Sequence, residues 1–159
     1  MQKTPKRLTP EKAKQKALRY CVYQERAHQE VKNKLYELGM FTSEVDELLA
    51  YLITEGFLNE ERFAKSFAGG KFRVKKWGRI KIVHALESKS LTKNCIRIGL
   101  KEIDESDYLH TLEELLKFKL SELTESNVFV ARDKASKYAI QKGYEPDLVW
   151  DTLKTLLPN

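Results

Sequence analysis

A chain of 159 residues fits one domain or a string of small units, and its 42% hydrophobic content is enough to bury a core. No apolar run approaches the roughly 18 residues that would cross a bilayer, and the basic, polar start MQKTPKRLTP lacks the apolar heart of a signal peptide, so the expectation is a cytoplasmic protein without membrane contact. The net charge of +6 and pI near 9.2 favour acidic or nucleic-acid partners, while Cys21 and Cys95, far apart and without C-x-x-C spacing, read as reduced packing residues.

The charge comes in blocks. Residues 1–40 carry ten Lys/Arg against four Asp/Glu, residues 41–64 one against six, residues 65–101 eleven against one, and residues 102–127 two against eight. The central basic block therefore dominates, flanked on each side by an acidic stretch.

Residues 1–8 have no apolar period and are expected to form a flexible basic tail. Thr9-Pro10-Glu11 starts a first helix: a capping hydroxyl, a proline whose missing N–H costs nothing there, and an acid at the positive helix end. Ala13, Ala17, Leu18 and Cys21 form its inner stripe. A second helix from about 27 to 38 carries Val31, Leu35 and Leu38 and stops at Gly39. A third, capped by Thr42 or Ser43, carries Val45, Leu48, Leu49, Leu52 and Ile53 and ends at Gly56.

The unit then returns. With Gly39, Ser90 and Gly143 set as equivalent, aliphatic residues recur six on (Val45, Ile96, Val149), ten on (Leu49, Leu100, Leu153) and thirteen on (Leu52, Ile103, Leu156). Twelve residues before the anchor stand Ala27, Gly78 and Ala131, small enough to mark one recurring helix crossing. This is an internal repeat with steps of 51 and 53 residues.

The second unit has Asn59 capping a helix with Phe63, Ala64, Phe67 and Phe72, Trp77-Gly78 opening the next helix, and Thr92 capping the third. In the last unit Ser106 caps a helix with Leu109, Leu112, Leu115, Leu116 and Leu120 inside. Ser126 or Asn127 caps one carrying Val130, Ala135, Tyr138 and Ala139, and Glu145-Pro146 starts one whose inner residues are Leu148, Val149, Leu153 and Leu156. The pattern predicts an all-α fold of three tandem three-helix repeats, 9–58, 59–104 and 105–157, stacked into an elongated, curved array.

No catalytic constellation stands out. His28, His84 and His110 lack a second ligand at helical spacing and read as partly exposed imidazoles. Glu60-Glu61 suits the first turn of a helix, and Ala68-Gly69-Gly70-Lys71 lacks the spacing of a phosphate loop. Two glycines within a helical pattern point instead to a bend or helix end. The expectation is therefore no enzyme, no metal and no cofactor.

Binding is better supported. Lys71, Arg73, Lys75, Lys76, Arg79 and Lys81 place six cations within eleven residues, interleaved with Phe72, Val74, Trp77 and Ile80 as anchors to the unit's own core. Arg62 and Lys65 on the preceding helix extend the same face.

The segments GFLNEERFAKSF (56–67), WGRIKIVHALESKSL (77–91) and RAHQEVKNKL (26–35) resemble the RecX family of bacterial regulators of the RecA recombinase; Arg132 to Tyr144 match more loosely. The resemblance covers roughly residues 13–156 and departs from the family pattern at His28, where a Ser is usual, and at Gly69-Gly70, where the helix is usually continuous. It implies a non-enzymatic modulator that lies in the groove of the RecA filament, hindering filament growth, ATP turnover and strand exchange, and that also binds single- or double-stranded DNA. Arg62, Lys65, Lys71, Arg73, Lys75, Lys76, Arg79 and Lys81 are then the expected RecA or DNA contacts, presented by a monomer. The second reading is a stand-alone helix-turn-helix DNA-binding regulator, against which the acidity of its candidate recognition helix (Glu44, Asp46, Glu47) counts.

Overall fold

The computed structural model describes residues 7–124 and 126–158, which hold nine α-helices, one π-helical turn and no strand. The helices are α1 (Pro10–Tyr23), α2 (His28–Glu37), α3 (Thr42–Thr54), α4 (Glu60–Gly70), α5 (Arg79–Ser88), α6 (Lys93–Leu100), α7 (Glu105–Glu122), α8 (Val128–Gln141) and α9 (Pro146–Leu156), with the π turn Lys71–Lys75 continuing α4.

The repeat anchors have one backbone in common. Gly39, Ser90 and Gly143 all take the left-handed conformation, with φ of 89°, 64° and 105°. Each closes its helix with the same pair of bonds, one N–H reaching back three residues and the next reaching back five: Gly39 to Tyr36 and Met40 to Leu35, Ser90 to Glu87 and Leu91 to Leu86, Gly143 to Ile140 and Tyr144 to Ala139. The recurrence seen in the sequence is thus a recurrence of chain geometry.

Most helix starts follow the side chains expected to make them. Thr9, Asn59, Thr92 and Asn127 each accept a backbone N–H from the first turn of their helix. Two starts differ. Phe41, not Thr42 or Ser43, is the N-cap of α3, and its N–H is taken at 2.9 Å by the Glu44 carboxylate. Asp104, not Ser106, caps α7 by accepting from the Asp107 N–H at 3.0 Å, since a carboxylate suits the positive helix end better than a hydroxyl.

The inward faces of α7 and α8 also differ from the expected ones. Tyr108, Leu112, Leu115 and Leu116 face inward, leaving Leu109 39% exposed; on α8 it is Ala131, Ala135 and Ala139 that turn inward, leaving Val130 at 38%. Of the eight residues expected to form a basic tail, the first six lie outside the described residues. Arg7 and Leu8 are held: the Leu8 N–H donates to the Leu38 carbonyl, and the Arg7 guanidinium binds the Gly39 carbonyl and Glu44 while stacking on Phe41.

Packing divides the chain unequally. α1–α3 enclose one core, from Ala13 and Ala17 to Leu52 and Leu58, whereas α4–α6 and α7–α9 share a second that runs from Phe63 through Tyr108 to Leu153. The helices of the central unit approach closely where Gly99 of α6 meets Ala64 of α4, so that a β-carbon on Gly99 would stand 2.7 Å from the Ala64 carbonyl oxygen. No helix among the described residues is long and apolar enough to cross a membrane.

A candidate cationic interface on the central unit

The basic block begins where α4 changes character. The helix runs straight through Gly69 and Gly70, but α-type bonding ends there and a π turn takes over from Lys71 to Lys75. It stops at Lys76, whose φ of 57° is left-handed, with the Lys76 N–H on the Phe72 carbonyl at 2.9 Å. The end expected at the glycine pair is this α-to-π change, a wider coil that local packing must support. Gly69 makes room for Arg73, whose guanidinium would lie 2.8 Å from any β-carbon there, while Gly70 has nothing within 4 Å of that position.

Around this turn, cations collect on aromatic rings. Phe63, Phe67 and Trp77 form a chain with centroids 5.6 and 6.5 Å apart, the second contact edge-on. The Lys71 ammonium lies 5.4 Å from the Phe67 ring and 5.0 Å from Trp77, Lys81 lies 4.7 Å from Trp77, and Lys89 lies 5.8 Å from Phe67. Three ammonium groups therefore surround two rings, held by cation–π attraction while repelling one another. Beside them opens a cleft of about 470 Å³ between the first and central units, with Phe63, Phe67 and Gly70 on one side and Glu25 and Glu30 on the other. Lys65, Arg73, Lys75 and Lys76 are exposed nearby. Val74 and Ile80, expected as core anchors, are 77% and 38% exposed, because the π turn rotates Val74 outward; Phe72 is buried and Trp77 half-buried as expected.

Two of the eight expected contact residues are paired with other residues of the chain. The Arg62 guanidinium bonds Glu25 at 2.6 Å and the Gly56 carbonyl at 2.9 Å, bracing α4 against the first unit. Arg79 bonds Glu145 at 2.9 Å and also Glu105, and stacks 3.9 Å from the Tyr108 ring. Its side chain is 25% exposed, so it joins the central and last units instead of offering a free charge. Of the remaining six, Lys71 and Lys81 share the Trp77 ring and Lys71 and Lys75 line the cleft, whereas Arg73 and Lys76 line a shallow pocket with Asp107 and His110. Lys65 is exposed on α4, and Lys142 joins Lys75 by donating its ammonium to the Lys75 carbonyl at 3.3 Å.

The junction beneath these cations was not legible as such. At the start of α5 the N–H groups of Gly78, Arg79 and Ile80 donate to the Lys142 carbonyl, the Tyr108 hydroxyl and the Gly143 carbonyl, each at 2.9 Å. The first turn of one unit is thus capped by the next. Gly78 is required there, because a β-carbon would overlap the backbone of Gly143 and Tyr144. Tyr144 donates its hydroxyl to the Lys76 carbonyl at 2.9 Å, and Tyr108 donates to Glu145. Phe72, Tyr108 and Tyr144 stack in sequence at 5.8 and 5.0 Å. Burial first, then the negative Glu145, pushes both tyrosine hydroxyls well above the ordinary value of 10.0. The one sequence signal for this joint was Gly78 itself, at the recurring small-residue site. Ala27, its equivalent, is fully buried against the central unit's core, while Ala131 lies one turn inside α8 because that helix starts earlier.

Two family models match parts of this chain: one described as RecX, first three-helix domain, over residues 13–52, and one described as RecX, second three-helix domain, over residues 59–100. The chain belongs to the RecX family. The Regulatory protein RecX of Clostridium perfringens (strain SM101 / Type A) is 27% identical over 150 residues, covering 93% of this chain and 70% of that relative. The Regulatory protein RecX of Prosthecochloris aestuarii (strain DSM 271 / SK 413) is 27% identical over 148 residues, covering 93% and 95%. The crystal structure of RecX from Lactobacillus salivarius superposes with a TM-score of 0.84 at 21% identity over 94% of this chain and 96% of that one. A second RecX crystal structure gives 0.81 at 18% over 92% and 71%. The all-helical repeat is therefore the RecX fold, and the role it carries is regulatory. Among the described residues no group of three or more His, Cys, Asp or Glu side chains is placed to hold a metal ion; His28 instead meets Glu60 at 3.2 Å.

Proposed function

We propose that this chain is a non-enzymatic modulator of the RecA recombinase, which binds the RecA–DNA filament as a monomer and limits filament growth, ATP hydrolysis and strand exchange. The observation that carries the reading is the exposed trio Arg73, Lys75 and Lys76 on a turn held by Lys142 and Tyr144 of the neighbouring unit. Charges fixed on a braced backbone lose little conformational freedom when they meet an anionic surface, and the ammonium groups of Lys71 and Lys81, which share the Trp77 ring, gain from one. Lys65 extends the face along α4. Arg62 and Arg79 act in this proposal as braces for it.

The test reverses Arg73, Lys75 and Lys76 together to Glu. The three are exposed, so helical CD stays unchanged while the concentration needed to half-inhibit RecA strand exchange rises by at least about tenfold, the loss of three desolvated charge contacts of roughly 0.5 kcal/mol or more each. Full inhibition at the unmodified concentration refutes the assignment. Retention on RecA filaments is compared with retention on bare single-stranded and duplex DNA; capture by DNA with no gain from RecA favours a DNA-binding regulator instead. On duplex DNA, three phosphate contacts correspond to a salt slope of about −3, which the variant abolishes.

A further inference from the structure

A second surface on the central unit has a different character. Between α5 and α6 runs an open groove of about 480 Å³, floored by Val83, Ile96, Leu100 and Ile103. One wall carries Lys93, Arg97 and Lys101, four residues apart along α6 and its C-cap, with Glu87 of α5 opposite. That spacing sets three cations in one row, each step rising about 6 Å. Lys93 and Lys101 make no ion pair among the described residues, and Arg97 bonds only the side chain of Asn94, at 2.6 Å. Arg79 of α5 and Glu105 of α7, paired with each other, also line the groove, and Val83 and Leu100 are partly buried, packed against the core beneath.

The fold does not require this row. At the equivalent repeat positions the first unit has Thr42, Asp46 and Ala50, and the last has Pro146, Trp150 and Lys154. Lys93 is moreover the first residue of α6, where a cation opposes the helix dipole and where no acidic residue offsets it. Lys32 in the first unit stands where Val83 opens the groove in the second. An apolar trough with a one-sided basic wall is thus particular to the central unit and locally unfavourable.

We infer that this groove, lined by Val83, Ile96 and Leu100 and walled by Lys93, Arg97 and Lys101, docks an amphipathic helix of a partner protein that bears acidic residues four apart along one edge of its apolar face. Charge complementarity selects that occupant. Carboxylates at i, i+4 and i+8 match the cation row in pitch, the apolar stripe fills the trough, and Glu87 disfavours a second acidic edge, so the helix seats in one orientation. A nucleic-acid strand would match the cations but leave the apolar floor wet.

The probe is a synthetic helical peptide with a leucine stripe flanked on one edge by glutamates four residues apart, titrated into the full-length chain. Amide and methyl resonances of Val83, Ile96 and Leu100 are expected to shift, while those around Phe67 and Trp77 stay still. Replacing the glutamates by lysine, or making the Lys93→Glu, Arg97→Glu, Lys101→Glu variant, weakens binding at least about tenfold, as three attractive pairs become repulsive. The variant with Arg73, Lys75 and Lys76 reversed binds the peptide normally, which separates this proposal from the preceding one. Absence of shifts at the groove in the unmodified chain overturns the inference. So does equal binding by the lysine peptide, self-association of the chain that the triple variant abolishes, or a single-stranded oligonucleotide moving the same three residues.

Discussion

Ser90 is where the repeat asks most of a side chain. It holds φ at 64°, a conformation that its two equivalents meet with glycine. Ser90→Gly is therefore expected to stabilise the chain by about 0.5–1 kcal/mol, read as a higher urea midpoint at unchanged slope; a lower midpoint would show that the Ser90 side chain contributes more than its backbone costs. Gly78 shows the opposite case. Its φ is an ordinary −78°, so conformation does not demand glycine, but contact does. Gly78→Ala is expected to cost about 3 kcal/mol or more, the upper range for forcing a methyl into packed structure, and a loss under 1 kcal/mol would mean that the two units part easily. Both positions were visible in the repeat, one as its anchor and one as its small residue. The partner of Gly78 was not, since it lies 65 residues away at Gly143.

At the scale of elements, the start of α5 explains why the basic block was only half readable. Sequence pattern places Arg79 in a helix beside five other cations, yet α5 draws its cap from α7 and from the turn before α9, and Arg79 goes with it to Glu105 and Glu145. The same junction gives a pH dependence. Tyr108 and Tyr144 have hydroxyls raised in the folded chain by burial and by Glu145. Their contribution is complete below the ordinary value of 10.0 and is lost as pH climbs toward the raised folded values, each group removing up to about 1.4 kcal/mol of stability per pH unit. Tyrosinate absorbance followed alongside CD should show these two ionising only with unfolding of α5–α9. Their ionisation in a chain that keeps its helicity would contradict the buried stack.

For the whole molecule, the two cores predict unequal stability. The first unit is tied to the second through the ion pairs Arg62–Glu25 and Lys89–Glu30, both partly exposed, through the His28–Glu60 contact, and through the buried Ala27. Exposed ion pairs are worth at most about 1 kcal/mol each, and a three-helix unit of this size is marginal alone. Native-state hydrogen exchange should therefore open α1–α3 in a step at least about 1.4 kcal/mol below that of α4–α9, tenfold faster under equilibrium exchange. Uniform protection across all helices would show one cooperative body.

The sequence by itself determined the helices, the glycine stops at Gly39 and Gly56, the period near fifty residues and the family, because each depends on local periodicity and on residues whose backbone freedom is intrinsic; the left-handed turns at Ser90 and Lys76 came only with the structure. It also determined where positive charge is dense. Only the tertiary structure decided which of those charges are available. Arg62 and Arg79 are drawn into joints by carboxylates distant in sequence, Lys142 is brought to the basic face from the next unit, and Lys93, Arg97 and Lys101 are set along a separate groove. The physical reason is that a charge is engaged or free according to what packs against it, and packing between units joins residues that no periodicity relates.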